Sequence, residues 1–237
     1  MILQPKILWI ITARSGSKSI RNKNIKKLDG HPLMSYIIKS VINSNFSESI
    51  YISTDSIKYA KIAESYGAKF EFLRPDSISK DNSSSVEAIL HAIKETNNQK
   101  FDYVGLLEPS TPFINSNHIN KAVEKLISDK KAEALVAVKK HRPNTIFVQE
   151  HSKYLVDIYK KISKNENLMR QSFEDQITPC GGLYLSEFKS FLKNKSFYTE
   201  KTIPFLIEDI NSIEIDEPID FLFAEFLLKT KKIGKLF

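Results

Sequence analysis

The stretch Ile7-Leu8-Trp9-Ile10-Ile11-Thr12-Ala13-Arg14-Ser15-Gly16-Ser17-Lys18, with Lys23-Asn24 close behind, decides the fold. Its opening run is apolar and rich in β-branched residues, without alternation. That is the pattern of a strand covered on both faces, as in a parallel sheet. The run stops abruptly at a small, polar, basic loop. Open α/β sheets bind ligands just past the carboxyl ends of their strands. Arg14, Lys18 and Lys23 therefore stand at the mouth of a ligand crevice, beside hydroxyls and free backbone N–H groups. Such a site suits a polyphosphate. It is not an NTPase P-loop, because Ser17 separates Gly16 from Lys18 and position 11 is Ile. Nor is it a dinucleotide fingerprint, since Gly16 is the only glycine between Met1 and Lys27. A solvated strand-to-loop turn is the bland alternative.

Working outward, strands and helices alternate. Leu33, Met34, Ile37, Ile38, Val41 and Ile42 recur at helical spacing, with Pro32 at the first turn. A short strand at 49–53 follows. Then comes a helix with Asp55 as its expected N-cap and Gly67 as its left-handed stop. Phe70 to Leu73 reads as a strand closed by Arg74-Pro75. Val86, Ile89, Leu90 and Ile93 mark a helix, Tyr103 to Leu107 a buried strand, Ile119 to Ile127 a helix, and Ala134 to Val138 a strand. The rhythm breaks over 139–175. That stretch has short β-like pieces (Ile146 to Val148, Tyr154 to Ile158) in a polar background, and reads as an inserted lobe or arm of the kind that joins subunits. Regular structure resumes at Gly182 to Leu185. A last helix carries Ile219, Leu222, Phe223, Phe226 and Leu227. The expected fold is a three-layer α/β/α, Rossmann-like domain over 1–237 with a mostly parallel sheet.

At 237 residues the chain needs no covalent staple. Cys180 is its only cysteine, which fits a reducing cytoplasm and a small buried thiol. The first apolar run is far shorter than a membrane span of roughly 18 residues, and no cleavage-site pattern follows it. A soluble, cytoplasmic protein is expected. The formal net charge of +7 invites a nucleic-acid reading. The lysines are scattered, however, and scattered lysine solvates a surface more often than it marks a binding stripe. No nucleic-acid partner is expected. The five histidines show no metal-ligand spacing, and His91 reads as packed.

Several short elements fall in one order: Ala13 to Lys18, Lys23-Asn24, Ser53-Thr54-Asp55, Leu73-Arg74-Pro75 and Asp81-Asn82-Ser83-Ser84, then Leu106-Leu107-Glu108-Pro109-Ser110-Thr111-Pro112, Arg170-Gln171, Gly181-Gly182-Leu183-Tyr184 and Ile213-Glu214-Ile215-Asp216. Together they resemble the acylneuraminate cytidylyltransferases. The resemblance spans nearly the whole chain and implies transfer of CMP from CTP to the anomeric hydroxyl of a 2-keto-3-deoxy sugar acid, with Mg²⁺. Arg14 and Lys23 are assigned to the triphosphate. By resemblance, Ser15, Gly16, Ser17 and Asn24 cradle phosphates and nucleotide. Arg74 and the turn with Asp81 and Ser83 take cytosine and ribose. The plainer readings are an Arg74 ion pair with Asp76 or Asp81, and an N-cap for the helix carrying Val86.

Glu214 and Asp216 lie two apart on a strand-like segment, so they share a face and suit one Mg²⁺. The alternative is that they cap the helix starting near Pro218. The family usually has Asp at both places, so the longer Glu214 changes the coordination geometry. Glu108 stands where many sialate enzymes have Gln, and Thr178 and Cys180 where they carry Arg and Asn. With Arg170 and Gln171, Glu108 forms the expected sugar-binding set, Arg170 meeting the sugar carboxylate. The family also implies a homodimer. An eight-carbon keto-deoxy acid, another sugar nucleotide, or a nucleotide-binding relative without catalysis remain alternatives.

Overall fold

The computed structural model describes residues 4–96, 100–141 and 176–230, together with Val156, Lys160 and Lys164. A six-stranded sheet runs in the order β4-β1-β5-β7-β6-β8. Its strands are β1 (Ile7–Thr12), β4 (Ile50–Ser53), β5 (Tyr103–Leu107), β6 (Ala134–His141), β7 (Gln176–Glu187) and β8 (Thr202–Leu206). β1 pairs in parallel with β4 and β5, and β6 with β8, while β7 lies antiparallel to both β5 and β6. β7 alone reverses direction. Its amino-terminal half therefore reaches the same sheet edge as the carboxyl ends of the others. A two-stranded ribbon, β2 (Lys27–Leu28) with β3 (His31–Pro32), stands apart.

β1 shows why alternation is lost in sequence. Ile7, Trp9 and Ile11 point into one core with α1 (Leu33–Ile42), α2 (Ile57–Ser65) and α4 (Ser116–Ser128). Leu8 and Ile10 point into the other, with α3 (Ser85–Glu95) and α5 (Phe188–Asn194). Both sides of the strand are removed from water, and both require apolar residues. This is the expected three-layer arrangement. A third cluster packs α6 (Pro218–Lys229) through Phe221, Ala224 and Leu227 against Leu28, Leu33, Phe113 and Ile215.

Local expectations need four corrections. The N-cap of α2 is Ser56, whose hydroxyl accepts from the Tyr59 N–H, and not Asp55; Asp55 is used elsewhere. Phe70 to Leu73 forms no strand: the ladder beside β4 is a single bridge between Tyr51 and Lys69, and the next bond to that side is from the Arg74 N–H to the Thr54 carbonyl. β7 begins at Gln176, ahead of the expected Gly182. Four of the five apolar residues singled out on α6 are exposed, Ile219 at 66% and Phe226 at 55%, because the helix buries its Phe221–Ala224–Leu227 face. The Gly67 stop holds: its φ is +103° and its N–H bonds the Glu64 carbonyl. The arm at 139–175 and the pieces within it lie almost wholly outside the described residues, although Val156 sits in helical backbone. No helix among the described residues is long and apolar enough to cross a membrane.

Candidate functional site

β1 delivers the basic loop to the carboxyl edge of the sheet, and the loop is then tied down twice. The Ser15 N–H and hydroxyl both donate to the Asp55 carboxylate at 2.8 Å. From the other side, the buried Asn24 donates its amide to the Arg14 carbonyl at 3.0 Å. Asn24 is aimed by a short 3-10 turn over Lys23–Ile25, entered through Asn22 in left-handed conformation. The Lys23 ammonium reaches across the cleft to the Ile215 carbonyl (2.8 Å) and the Asp216 carboxylate (3.0 Å). Ser19 donates to the Asp216 carbonyl. Loop and acidic segment are thereby fastened to each other.

These elements enclose an open cavity of about 400 Å³. Of the expected residues, Arg14, Ser17, Lys23, Asn24, Arg74, Ser83, Glu108, Glu214 and Asp216 line it. Ser15, Gly16 and Asp81 do not. Ser15 serves as a loop anchor. Asp81 stands outside, paired with both Arg14 and Lys18, whose hydrogen bonds hold its carboxyl below the usual range. Arg170 and Gln171 lie outside the described residues. Sequence reasoning missed Thr12, Ser19, Lys80 and Ser110. Ser19 adjoins Lys18 and Lys80 adjoins Asp81, while Thr12 and Ser110 lie two residues from Arg14 and Glu108 within stretches already singled out.

Arg74 departs from the plain ion-pair reading. It is 5% exposed and its Nε donates to Ser79 at 3.1 Å, while Nη2 is buried without a hydrogen-bond partner. Burial presses its pKa down, the nearby Asp55 offsetting in part. A buried guanidinium nitrogen left unsatisfied is costly, and a ligand acceptor in the cavity would relieve that cost.

The cavity also gathers carboxylates. The Ile215 N–H donates to the Ser110 carbonyl at 2.7 Å, and its side chain is fully buried. With Ile215 turned inward, Glu214 and Asp216 both face the cavity. The segment is not a strand. The helix-capping alternative falls to Glu217 and Asp220, which close the capping box of α6. Glu108 continues from β5 and is held by its N–H to the Gly182 carbonyl. Burial, and then the negative charge of Glu214, push the Glu108 carboxyl up to about 7. Glu214 is raised by burial and Asp216, against the pull of Lys139 and Lys23.

Cations and a carboxylate pair line one cleft, joined where Lys23 meets Asp216. This suits a polyanion that brings a divalent ion. Mg²⁺ binds through one or two carboxylates with phosphate oxygens and water completing its shell, so Glu214 and Asp216 fit that ion. His91 packs edge-on to Phe72, and Cys180 is fully buried, with burial pushing its thiol up.

The family model for cytidylyltransferases matches residues 8–232. The chain belongs to the cytidylyltransferase family. It is 32% identical over 99% of its length to an N-acylneuraminate cytidylyltransferase of Escherichia coli O18:K1:H7, of which it spans 55%. It is 31% identical to the CMP-N,N'-diacetyllegionaminic acid synthase of Legionella pneumophila, over 94% of this chain and 97% of that protein. A Campylobacter jejuni pseudaminic acid cytidylyltransferase is 30% identical over the same shares. Among solved structures, a CMP:2-keto-3-deoxy-manno-octonic acid synthetase complexed with CTP superposes with a TM-score of 0.68. That match is 14% identical and covers 95% of this chain and 99% of that one. It speaks for the fold of this cytidylyltransferase.

Proposed function

We propose that the protein transfers CMP from CTP to the anomeric hydroxyl of a 2-keto-3-deoxy sugar acid of the nonulosonic class, with Mg²⁺. The observation that carries this reading is the cavity itself. A buried, incompletely satisfied Arg74 lines it together with Arg14, Lys23 and the carboxylates of Glu214 and Asp216, the last held by Lys23. The sugar hydroxyl oxygen bonds the α-phosphorus and gives up its proton to solvent as the α–β bridging bond breaks, and pyrophosphate departs. Negative charge builds on phosphate oxygens, so positioning and fixed cations do most of the work. Arg14 and Lys23 supply those cations, and the Asp55 and Asn24 anchors keep the loop from reorganising. Arg74 and the Ser83 turn hold the base and ribose. When bound on Glu214 and Asp216, Mg²⁺ neutralises charge on the triphosphate.

Glu108 favours a particular acceptor. A partly buried carboxyl in the cavity accepts hydrogen bonds from amide N–H or hydroxyl groups and disfavours a nearby sugar carboxylate. Legionaminate- and pseudaminate-like acids are the preferred substrates of this reading, supported by the 31% and 30% identity to the relatives named for them. Incubation of CTP and Mg²⁺ with a panel of keto-deoxy acids, read by product mass, tests it. A CMP-linked product with a nonulosonic acid supports the reading. Product only with an eight-carbon acid corrects the substrate, and nucleotide binding with no product from any acid removes the enzymatic assignment. The proposal includes a homodimer built on the 139–175 arm, and sedimentation as monomer alone at micromolar concentration contradicts that part.

A further inference from the structure

Glu214 is one methylene longer than Asp216, yet both carboxylates face the same cavity. Gly181 makes room for the extra length. Its φ is +72°, and a Cβ built on it would stand 2.5 Å from Oε1, 2.9 Å from Cδ and 3.0 Å from Oε2 of Glu214. Ordinary contact begins near 3.4 Å. The Glu214 carboxylate thus lies across the Gly181 Cα, in space that any other residue would fill. The main chain cannot yield easily, because Ile215 is held by Ser110 through its N–H and by Lys23 through its carbonyl. A side chain at 181 would have to push the carboxylate itself.

We propose that Gly181 is a positioning residue whose missing side chain forms the seat of the Glu214 carboxylate, setting its reach so that it and Asp216 meet one divalent ion. The inference rests on the metal-dependent reading above. It makes positions 181 and 214 a matched pair: a longer carboxylate requires a bare Cα beneath it. Shortening the side chain by one C–C bond withdraws the carboxylate by roughly 1.5 Å, enough to clear a Cβ.

The test is a double-mutant cycle of Gly181→Ala and Glu214→Asp. It is read by turnover, by the Mn²⁺ concentration giving half-maximal CTP-dependent thermal stabilisation, and by the melting temperature without ligand. Gly181→Ala is expected to lose turnover by on the order of 10²-fold, as for a misplacement of about 1 Å, and to need more Mn²⁺. It also melts a few degrees lower, because Ala is strained at positive φ. Adding Glu214→Asp restores turnover about tenfold and lowers the Mn²⁺ requirement, but leaves the melting temperature down, since the backbone strain persists. Glu214→Asp alone is worse than the wild type in both metal-linked readouts. If Gly181→Ala does not fold, Gly181→Asn carries the same Cβ in a residue that tolerates this backbone. A double variant no better than Gly181→Ala in turnover and Mn²⁺ requirement overturns the inference. Failure of the wild type to make product from any acid overturns the functional reading instead, and the Mn²⁺ titration still reports on the seat.

Discussion

Glu108→Gln separates burial electrostatics from packing, because it keeps the shape of the side chain and removes its charge. Burial and Glu214 raise the folded carboxyl from 4.5 to about 7. An acid raised on folding binds its proton more tightly in the folded state. Its contribution is therefore destabilising once pH rises above the unfolded value near 4.5, and the loss is complete above about 7. At 1.36 kcal/mol per pKa unit the full penalty is about 3 kcal/mol. Gln carries no such penalty at any pH. The stability difference, variant minus wild type, should widen in favour of Gln by about 2–3 kcal/mol between pH 5 and pH 8.5. For a chain of this size that is roughly 4–12 °C in melting temperature. The assay is thermal or urea unfolding of ligand-free protein in EDTA across that range. A difference constant with pH would refute the reasoning, because shape and hydrogen bonding alone would then account for it.

Arg14→Ala should lower turnover by roughly 10²–10³-fold, the usual loss of one transition-state donor, and near-normal rates would remove Arg14 from the mechanism. Arg74→Met should abolish the thermal shift given by CTP while leaving ligand-free stability equal or higher, because it removes a buried, incompletely satisfied cation; a clear drop in ligand-free stability contradicts this. Asp81→Asn frees Arg14 and Lys18 from their shared partner. CTP should then bind more tightly by no more than about fivefold, the ceiling for exposed pairs, and weaker binding in a direct titration would instead place Asp81 on the nucleotide.

The strands that are buried on both faces were the easiest to read. β5 coincides with the run Tyr103 to Leu107, and β1 with Ile7 to Thr12, because a covered strand cannot use polar residues. β7 was read late, since Thr178, Pro179, Cys180 and Gly181 give no apolar run, although Thr178 and Pro179 pair with β6 and the register shifts just after them. α6 misled for a different reason. It is apolar around much of its circumference, so spacing alone could not say whether Phe221 or Phe223 faces inward. At the site, cations after a strand and carboxylates two apart were visible from residue type and spacing. The Asp55 anchor was not, because it joins residues 40 apart in sequence. The unsatisfied Arg74 nitrogen and the Gly181 seat are properties of three-dimensional packing, with no sequence signal of their own.

A crystal structure with CTP and Mg²⁺ tests the central claim most directly. The triphosphate should lie along Arg14 and Lys23, the cytosine on Arg74, and the metal between Glu214 and Asp216. A nucleotide bound elsewhere, or a cleft left empty at saturating CTP, would contradict the account.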